Sequence, residues 1–278
     1  MARLSVIIPV FEDDGRLAVC LRALEQQTLP QEDFEVIVVD NGSRTPPPIP
    51  GHVRLIHETT PGSYAARNAG IAAATTSRLI FTDADCVPEP GWLAALDQAL
   101  DDTPRATGPV PLFIEGRRSA AAIYDCLFAF TQEANHAAGF GITANLAVRR
   151  EVFDDVGMFS PVASIGDREF GQRAQAAGHE IAWAPDAIVL HPARQQLGPL
   201  LRKMRRLEGG EADTRPTTTG QRLREGLHVP WDLIRSRRQQ HGFGPVATAR
   251  GVAVLGLVKG VRLLERLRVS RGASRERR

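Results

Sequence analysis

Cysteines and long hydrophobic runs are scarce in this sequence. Its three cysteines, Cys20, Cys86 and Cys126, are widely spaced, and none belongs to a CxxC pair. An odd and scattered set of this kind argues against a disulfide framework and against a structural zinc site. The apolar stretch GVAVLGLV at 251–258 is well short of the ~18 residues that a membrane-spanning helix needs. The N-terminal residues also lack the pattern of a signal peptide, so we expect a cytoplasmic protein.

Acidic residues are scarce in the C-terminal part of the chain, whereas basic residues are the minority of the charges in the rest. Residues 194–278 contain 20 Lys and Arg against 7 Asp and Glu, whereas residues 1–193 contain 14 against 25. The resulting net charges of +13 and −11 give the total of +2. This division predicts two regions with different roles. The acidic region argues against a nucleic-acid-binding protein, and the basic region is suited to contact the phosphates of lipid or nucleic acid.

Short apolar, β-branched segments alternate with helical patterns in the first hundred residues. The segments predicted as strands are 4–10, 34–40, 53–58 and 78–83. Strands that alternate with helices predict a parallel sheet covered by helices on its faces. A chain of 278 residues that is 43% hydrophobic can build such a core as one large domain with an appendage.

Polar or acidic residues follow several of these strands directly. Ligands of open α/β sheets bind at the carboxyl ends of the strands, so residues 10–12, 40–43 and 83–85 are predicted to share one edge. In an extended chain Asp83 and Asp85 point to the same side. Two adjacent carboxylates resist joint ionisation unless a cation is present, and oxygen ligands suit Mg²⁺ or Mn²⁺. A solvated strand end has the same short pattern, so this pair alone does not decide between the two interpretations.

Seven motifs stand in one order along residues 3–193. They are SVIIPVFEDD, VIVVDNGS, PGSYAARNAGI, FTDADCVPEPGWL, ITANLAVRREVFDDVGMF, GDREFGQRAQAAG and IVLHP. Together they resemble the family 2 glycosyltransferases of the GT-A fold. The resemblance implies an α/β nucleotide-diphospho-sugar transferase fold with a mostly parallel central sheet flanked by helices. Its nucleotide-binding half would cover about 1–100 and its acceptor half about 101–193, followed by a basic helical extension at 194–278.

The same resemblance implies which residues contact the nucleotide-sugar donor. They are Pro9, Val10, Phe11, Glu12, Asp40, Arg67, Asn68, Asp83 and Ala84. Asp40 matches the acid that accepts a hydrogen bond from the nucleotide base, and Phe11 is placed to stack on that base. Two plainer interpretations stay open, because Asp40 can cap the turn at NGS and Phe11 can pack in the core. Arg67 would contact the nucleotide and help to hold the acids.

The resemblance also implies a metal site and a catalytic base. Asp85 and His191 match metal ligands, and a bound Mg²⁺ or Mn²⁺ would neutralise the diphosphate leaving group. Asp167 matches the base that deprotonates the acceptor hydroxyl, with Glu169 in support. Gly166 departs from the family pattern, which has a glutamate there. An acidic helix N-terminus, favoured by the helix dipole, is the plainer interpretation of Asp167.

The activity that the resemblance implies is inverting transfer of a sugar. The donor would be a UDP-, dTDP- or GDP-sugar, and the acceptor a glycan or a lipid-linked saccharide. A sugar-nucleotide pyrophosphorylase would need a glycine-rich phosphate loop followed by arginine near the first strand, and a dehydrogenase would need GxGxxG after a strand. The sequence has neither pattern. The remaining alternative is a non-catalytic nucleotide-sugar-binding protein with the same fold.

The predicted last helix, 246–268, has an amphipathic pattern. On a helical wheel one side carries Lys259, Arg262 and Arg266, and another side carries Val254, Leu257, Val261 and Leu264. Helices of this kind lie in membrane interfaces. The basic region therefore favours attachment to an anionic membrane surface, with a helical cap or an oligomer contact as the alternative.

Overall fold

The computed structural model describes residues 2–160, 165–214 and 229–270. The chain divides into two compact units. Unit 1 consists of Met1–Pro111, Thr131–Val162 and Gly166–His191, and unit 2 consists of Leu112–Phe130, Ala163–Ile165 and Pro192–Arg278. The boundary after His191 lies two residues from the one expected at 193. Residues 112–130, however, belong to unit 2, although the sequence had assigned them to the acceptor half.

The strands occur in the order that the alternating pattern predicts. They are β1 (Leu4–Val10), β2 (Phe34–Asp40), β3 (Arg54–His57), β4 (Arg78–Phe81), β5 (Val87–Pro88), β6 (Arg105–Thr107), β7 (Leu112–Phe113), β8 (Leu146–Arg149), β9 (Ile181–Trp183) and β10 (Val189–Pro192). Seven of them form the central sheet of unit 1 in the order β3-β2-β1-β4-β8-β6-β9. Strand β8 runs antiparallel to both neighbours, and the other pairs are parallel. The predicted α/β class with a mostly parallel sheet is confirmed.

Both units contain helices within the described residues. They are α1 (Asp14–Glu25), α2 (Ser63–Ala73), α3 (Trp92–Asp102), α4 (Ala120–Phe128), α5 (Gln132–Ala137), α6 (Arg150–Val156), α7 (Gly166–Ala176), α8 (Leu197–Thr214), α9 (Trp231–Gln240) and α10 (Pro245–Ser270). Helix α1 buries Leu17, Leu21 and Leu24, which recur on one face at helical spacing. No helix of the described ranges is both long and apolar enough to cross a membrane.

The segment between Ala120 and Ala137 forms two helices rather than one. Helix α4 ends at Phe128, and α5 begins at Gln132. Phe130 lies between them with φ of 50°, a left-handed conformation that interrupts a right-handed helix. The break also separates α4, which belongs to unit 2, from α5, which belongs to unit 1.

The strand register of unit 1 aligns the strand ends that matter for the site. Val10 pairs with Asp40 at the end of β1 and β2, and Ile7 pairs with Phe81 at the end of β4. Helix α2 packs closely on β1 because residue 70 is a glycine. A Cβ atom there would lie 2.4 Å from Cγ2 of Ile7, closer than real Cβ contacts allow. The core of this unit therefore places the ends of three parallel strands side by side.

Unit 2 is helical and has its own core. Helix α10 packs on α4 at Gly251, where a Cβ atom would lie 2.8 Å from Cγ2 of Ile123. Buried Glu208 on α8 accepts hydrogen bonds from Nε of Arg262, at 2.6 Å, and from Nε of Arg266. The helical wheel placed these two arginines on one basic side of the last helix. In the structure their charges are compensated there by a buried carboxylate within the unit.

Candidate active site

The segment after β4 holds its two aspartates in a turn. The backbone N–H of Cys86 donates to the carbonyl of Asp83 at 3.0 Å, which closes the turn, and Thr82 Oγ1 donates to the carbonyl of Ala144 at 3.0 Å. The sequence had predicted that Asp83 and Asp85 would share one side of an extended strand. They do lie close together, but the turn rather than the alternation of a strand brings them there.

Four side chains form a group with the dimensions of a metal site. One ligand atom each of Asp83, Asp85, Cys86 and His191 lies within 4.8 Å of the others. Nε2 of His191, from the buried strand β10, lies 3.6 Å from Oδ1 of Asp85. Burial and the neighbouring aspartates raise the pKa of the Cys86 thiol well above its ordinary value, so the sulfur stays protonated. Two carboxylates and an imidazole are therefore the donors available for a hard divalent cation.

Two neighbouring groups respond to the negative charge of the acid pair. Burial raises the pKa of Asp13, just before α1, and the negative charge of Asp85 acts in the same direction, whereas the neighbouring Arg16 lowers that pKa. Burial and then the charges of Asp85 and Asp83 likewise raise the pKa of the Cys20 thiol. A divalent cation would relieve this repulsion, so the residues present fit a metal. Asp13 is a third acid here that the sequence reasoning had not singled out.

Arg67 is a buried cation that contacts the acid pair directly. It is 3% exposed on α2, and its NH2 group donates to Oδ1 of Asp83. Its guanidinium carbon lies 5.5 Å from the centre of the Tyr64 ring. The neighbouring Asn68 has a different environment, because its amide donates to the carbonyl of Phe159 at 2.8 Å and accepts from the N–H of the same residue at 3.2 Å. Its predicted nucleotide contact stays a prediction.

The ends of β1 and β2 are joined by polar contacts. Oδ1 of buried Asp40 accepts from the N–H of Ser43 at 3.0 Å, which is the turn-capping geometry that the sequence also allowed. Glu12 accepts from the N–H of Arg44 at 2.8 Å and donates its own N–H to Oγ of Ser43 at 3.0 Å. Phe11 is 52% exposed, so the interpretation that it packs in the core is wrong. Its predicted stacking on a base stays a prediction, as does the base contact of Asp40.

Asp167 is the second residue of α7 and lies beside Tyr64 and Arg67. Burial raises the pKa of its carboxyl above 3.8. The N–H of Arg168 at 2.8 Å, the charge of Arg67 and the hydroxyl of Tyr64 act in the opposite direction. A carboxylate with a raised pKa accepts a proton more readily, as a general base must. Glu169, predicted to support it, binds Nε of Arg173 at 2.6 Å.

A buried amide supports the strand that carries His191. Asn145 is fully buried and accepts from Nε1 of Trp92 at 2.9 Å. Its amide nitrogen donates to the carbonyls of Pro109, at 3.0 Å, and Ala187, at 2.7 Å. The network holds the backbone just before β10. Sequence reasoning missed Asn145, because a single asparagine in an apolar segment gives no signal of its partners.

The match to a known family covers more than half of the chain. The family described as Glycosyl transferase family 2 matches residues 5–157. The chain belongs to this family. The chain is also 35% identical over 223 residues to Glycosyltransferase AglE of Haloferax volcanii, across 74% of this chain and 72% of that protein.

Two further comparisons give a second glycosyltransferase relative and a solved structure with the same fold. The chain is 31% identical over 213 residues to the Pre-mycofactocin glycosyltransferase of Mycobacterium tuberculosis, across 69% of this chain and 43% of that protein. It shares its fold with the mannosyltransferase PcManGT from Pyrobaculum calidifontis, solved in complex with GDP-Man and Mn²⁺. That likeness has a TM-score of 0.65 at 19% identity and covers 96% of this chain and 86% of the other. The predictions of a family 2 glycosyltransferase, of an enzyme and of a nucleotide-sugar donor are confirmed.

Proposed function

We propose that this family 2 glycosyltransferase is an inverting, metal-dependent enzyme that acts on a hydroxyl of a glycan or lipid-linked saccharide. The observation that carries the proposal is the close group of Asp83, Asp85 and His191, to which Arg67 is joined through Asp83. Mg²⁺ or Mn²⁺ held by Asp85 and His191 would supply Lewis-acid neutralisation of the diphosphate. The donor set of carboxylates and one imidazole, with a protonated thiol behind it, suits these two cations.

The proposed reaction is then a single displacement at the anomeric carbon of the donor sugar. The oxygen of the acceptor hydroxyl forms a bond to the anomeric carbon while its proton passes to the carboxylate of Asp167. The bond from that carbon to the donor phosphate breaks, and its electron pair leaves with the nucleoside diphosphate. Attack opposite the leaving group inverts the configuration. The raised pKa of Asp167 supports the role of base, because the carboxylate must hold the proton as the hydroxyl loses it.

Donor binding is proposed for the ends of β1 and β2 and for α2. Asp40 would accept from a base N–H, Phe11 would stack on the base, and Arg67 would contact the diphosphate while it keeps its pair with Asp83. The nucleoside diphosphate of the donor would be UDP, dTDP or GDP. GDP-mannose is the first donor to test, because the Pyrobaculum enzyme of the same fold was solved with GDP-Man and Mn²⁺.

The test of this function is a transfer assay with a matched control. Nucleotide-sugars are first screened by thermal shift with and without Mn²⁺, since a bound donor raises the melting temperature by mass action. Transfer by the wild type should need Mg²⁺ or Mn²⁺ and should be lost in Asp85→Asn but retained in Asp186→Asn, which alters an exposed acid elsewhere in unit 1. Binding of nucleotide without turnover of any donor would instead establish the alternative, a non-catalytic nucleotide-sugar-binding protein.

An anionic membrane surface is the proposed partner of residues 194–278. Helix α10 has an exposed apolar face that includes Leu257, Leu264 and Leu267, with exposed fractions of 47%, 68% and 46%. Exposed Gly260 continues this face between Leu257 and Leu264, and exposed Ala253 extends it toward the start of the helix. From Val246, 76% exposed, to Leu267 the face extends roughly 30 Å at 1.5 Å per residue. Apolar faces of this length on a helix too polar to span are suited to a membrane interface.

The charges that border this face favour lipid over a second copy of the chain. The exposed charged residues of α10 are basic, Arg250 and Arg268, and the one acid of the helix, Glu265, is 4% exposed. A basic border attracts anionic headgroups and repels an identical face. The enzyme would therefore sit peripherally at the cytoplasmic face of a membrane, where lipid-linked acceptors are within reach.

A further inference from the structure

His57 ends strand β3 beside the end of β2. The strand register pairs Asp40 with His57 between β2 and β3, and it pairs Val10 with Asp40 between β1 and β2. The backbone N–H of Glu58 donates to the carbonyl of Asp40 at 2.9 Å, which extends the pairing by one residue beyond β3. His57 therefore lies next to Asp40, at the strand ends where the donor base is proposed to bind.

The loop that follows His57 is tied to the end of β2. The side-chain nitrogen of Asn41 donates to the carbonyls of Glu58, at 3.0 Å, and Thr60, at 2.8 Å. The side-chain oxygen of Asn41 accepts from the backbone N–H of Gly62 at 2.7 Å. Three hydrogen bonds of one side chain thus join β2 to this loop, and the backbone that carries His57 is held in place.

The carboxylate of Asp40 has a donor on each oxygen. Asp40 is 2% exposed, and its Oδ1 accepts from the backbone N–H of Ser43 at 3.0 Å. Its Oδ2 lies 3.2 Å from Nδ1 of His57. An ionised carboxylate has no hydrogen to give, so the ring nitrogen is the donor in this contact. Loss of the ring would deprive a buried oxygen of its side-chain partner.

The contact from His57 controls the orientation of the carboxylate. A carboxylate held through one oxygen can still turn about its Cβ–Cγ bond, because that torsion has broad minima in aspartate. The second contact removes this freedom and sets the plane in which the remaining lone pairs lie. We propose that His57 is a positioning residue, whose Nδ1–H fixes the carboxylate of Asp40 for a hydrogen bond from the donor base. The inference rests on the proposed base contact of Asp40.

Three substitutions at residue 57 separate the hydrogen bond from the ring. His57→Phe keeps a ring and loses the donor, His57→Ala loses both, and His57→Asn keeps an amide N–H near the place of Nδ1. Binding of UDP, dTDP and GDP with Mn²⁺ is measured by titration calorimetry, and the nucleotide that binds most tightly is carried through the variants. We expect Kd to rise about three- to tenfold in His57→Phe and His57→Ala, and to stay within about twofold of the wild type in His57→Asn.

Stability and an unrelated histidine provide the controls. The side chain of His57 is 57% exposed, so the melting temperatures of the three variants should stay near that of the wild type. His52→Ala is the matched control, because the side chain of His52 is 48% exposed in the same unit and lies near Glu25 rather than Asp40. It should bind the nucleotide as the wild type does.

A double-mutant cycle with Asp40→Asn tests whether His57 acts through Asp40. In that background His57→Phe should weaken binding no further. Wild-type affinity in Asp40→Asn, or a wild type that binds none of the three nucleotides, would refute the proposed base contact and this inference with it. Weaker binding in Asp40→Asn with wild-type affinity in His57→Phe and His57→Ala would overturn the role of His57 alone. So would a full effect of His57→Phe in the Asp40→Asn background, or a His57→Asn protein that binds no better than His57→Ala.

Discussion

Replacing Asp167 with asparagine separates the proton-accepting role of this side chain from its place in the fold. Asparagine has nearly the same shape, and its oxygen can still accept from the N–H of Arg168. It cannot take up the acceptor proton. A general base contributes about 10²–10⁴-fold to the rate, so the barrier should rise by roughly 3–5 kcal/mol at about 1.4 kcal/mol per tenfold.

The same substitution should not lower stability. Burial raises the pKa of Asp167, so the folded protein binds this proton more tightly than the unfolded chain does. The folded protein therefore loses stability as the pH rises from 3.8, the ordinary pKa of this carboxyl, through the higher pKa that the carboxyl has in the fold. We expect the melting temperature of Asp167→Asn at pH 7 to equal or exceed that of the wild type. The difference should vanish as the pH falls below 3.8, where the carboxyl is protonated in both states.

The assay is single-turnover transfer at saturating donor and metal, with melting curves across the pH range for both proteins. Loss of turnover together with an unchanged or higher melting temperature supports the base. Turnover within tenfold of the wild type would show that another group accepts the proton. A melting temperature well below the wild type would show that the carboxylate is needed for folding, and the loss of rate would then say nothing about proton transfer. Asp186→Asn should be neutral in both measurements.

Three further results are expected. Asp85→Ala should abolish transfer and the thermal stabilisation by Mn²⁺, and full Mn²⁺ stabilisation in this variant would remove Asp85 from the metal site. The double variant Leu257→Glu, Leu264→Glu should reduce co-sedimentation with anionic vesicles. The control Val19→Glu, at an apolar position of unit 1 that is 40% exposed, should not reduce it. Equal vesicle binding by the double variant and the wild type, or a wild-type dimer that only the double variant dissociates, would contradict the membrane face. Gly70→Ala should lower the free energy of unfolding by about 1–3 kcal/mol, because its Cβ meets Ile7, and an unchanged urea midpoint would refute that packing.

Local chemistry made the strands and the strand ends predictable. A buried parallel strand is a short apolar, β-branched segment, and β1, β2 and β4 follow that pattern almost residue for residue. The polar residues after such strands must then meet at one edge, which is how Asp83 and Asp85 were anticipated. The helix break at Phe130 was not predictable from the same pattern, because a left-handed residue of this type gives no signal in the apolar periodicity.

Pairings between distant residues were beyond the sequence. The wheel of the last helix placed Arg262 and Arg266 on a basic side, but a wheel carries no information on what packs against that side. Buried Glu208, from a different helix, is the partner of both. The exposed apolar face of α10 is therefore read from the structure rather than from the wheel, on which buried Val254 and exposed Leu257 had looked equivalent.

The sequence by itself determined the family, the α/β class and the residue types at the strand ends, because these depend on short-range patterns and on motifs in a set order. Only the tertiary structure decided which side chains meet. It joined Arg67 to Asp83, brought His191 to Asp85 across more than a hundred residues, and filled the space beside Gly166 with Tyr64. The physical reason is that contacts between distant residues depend on how helices and strands pack, and packing is a property of volume and distance that no local pattern contains.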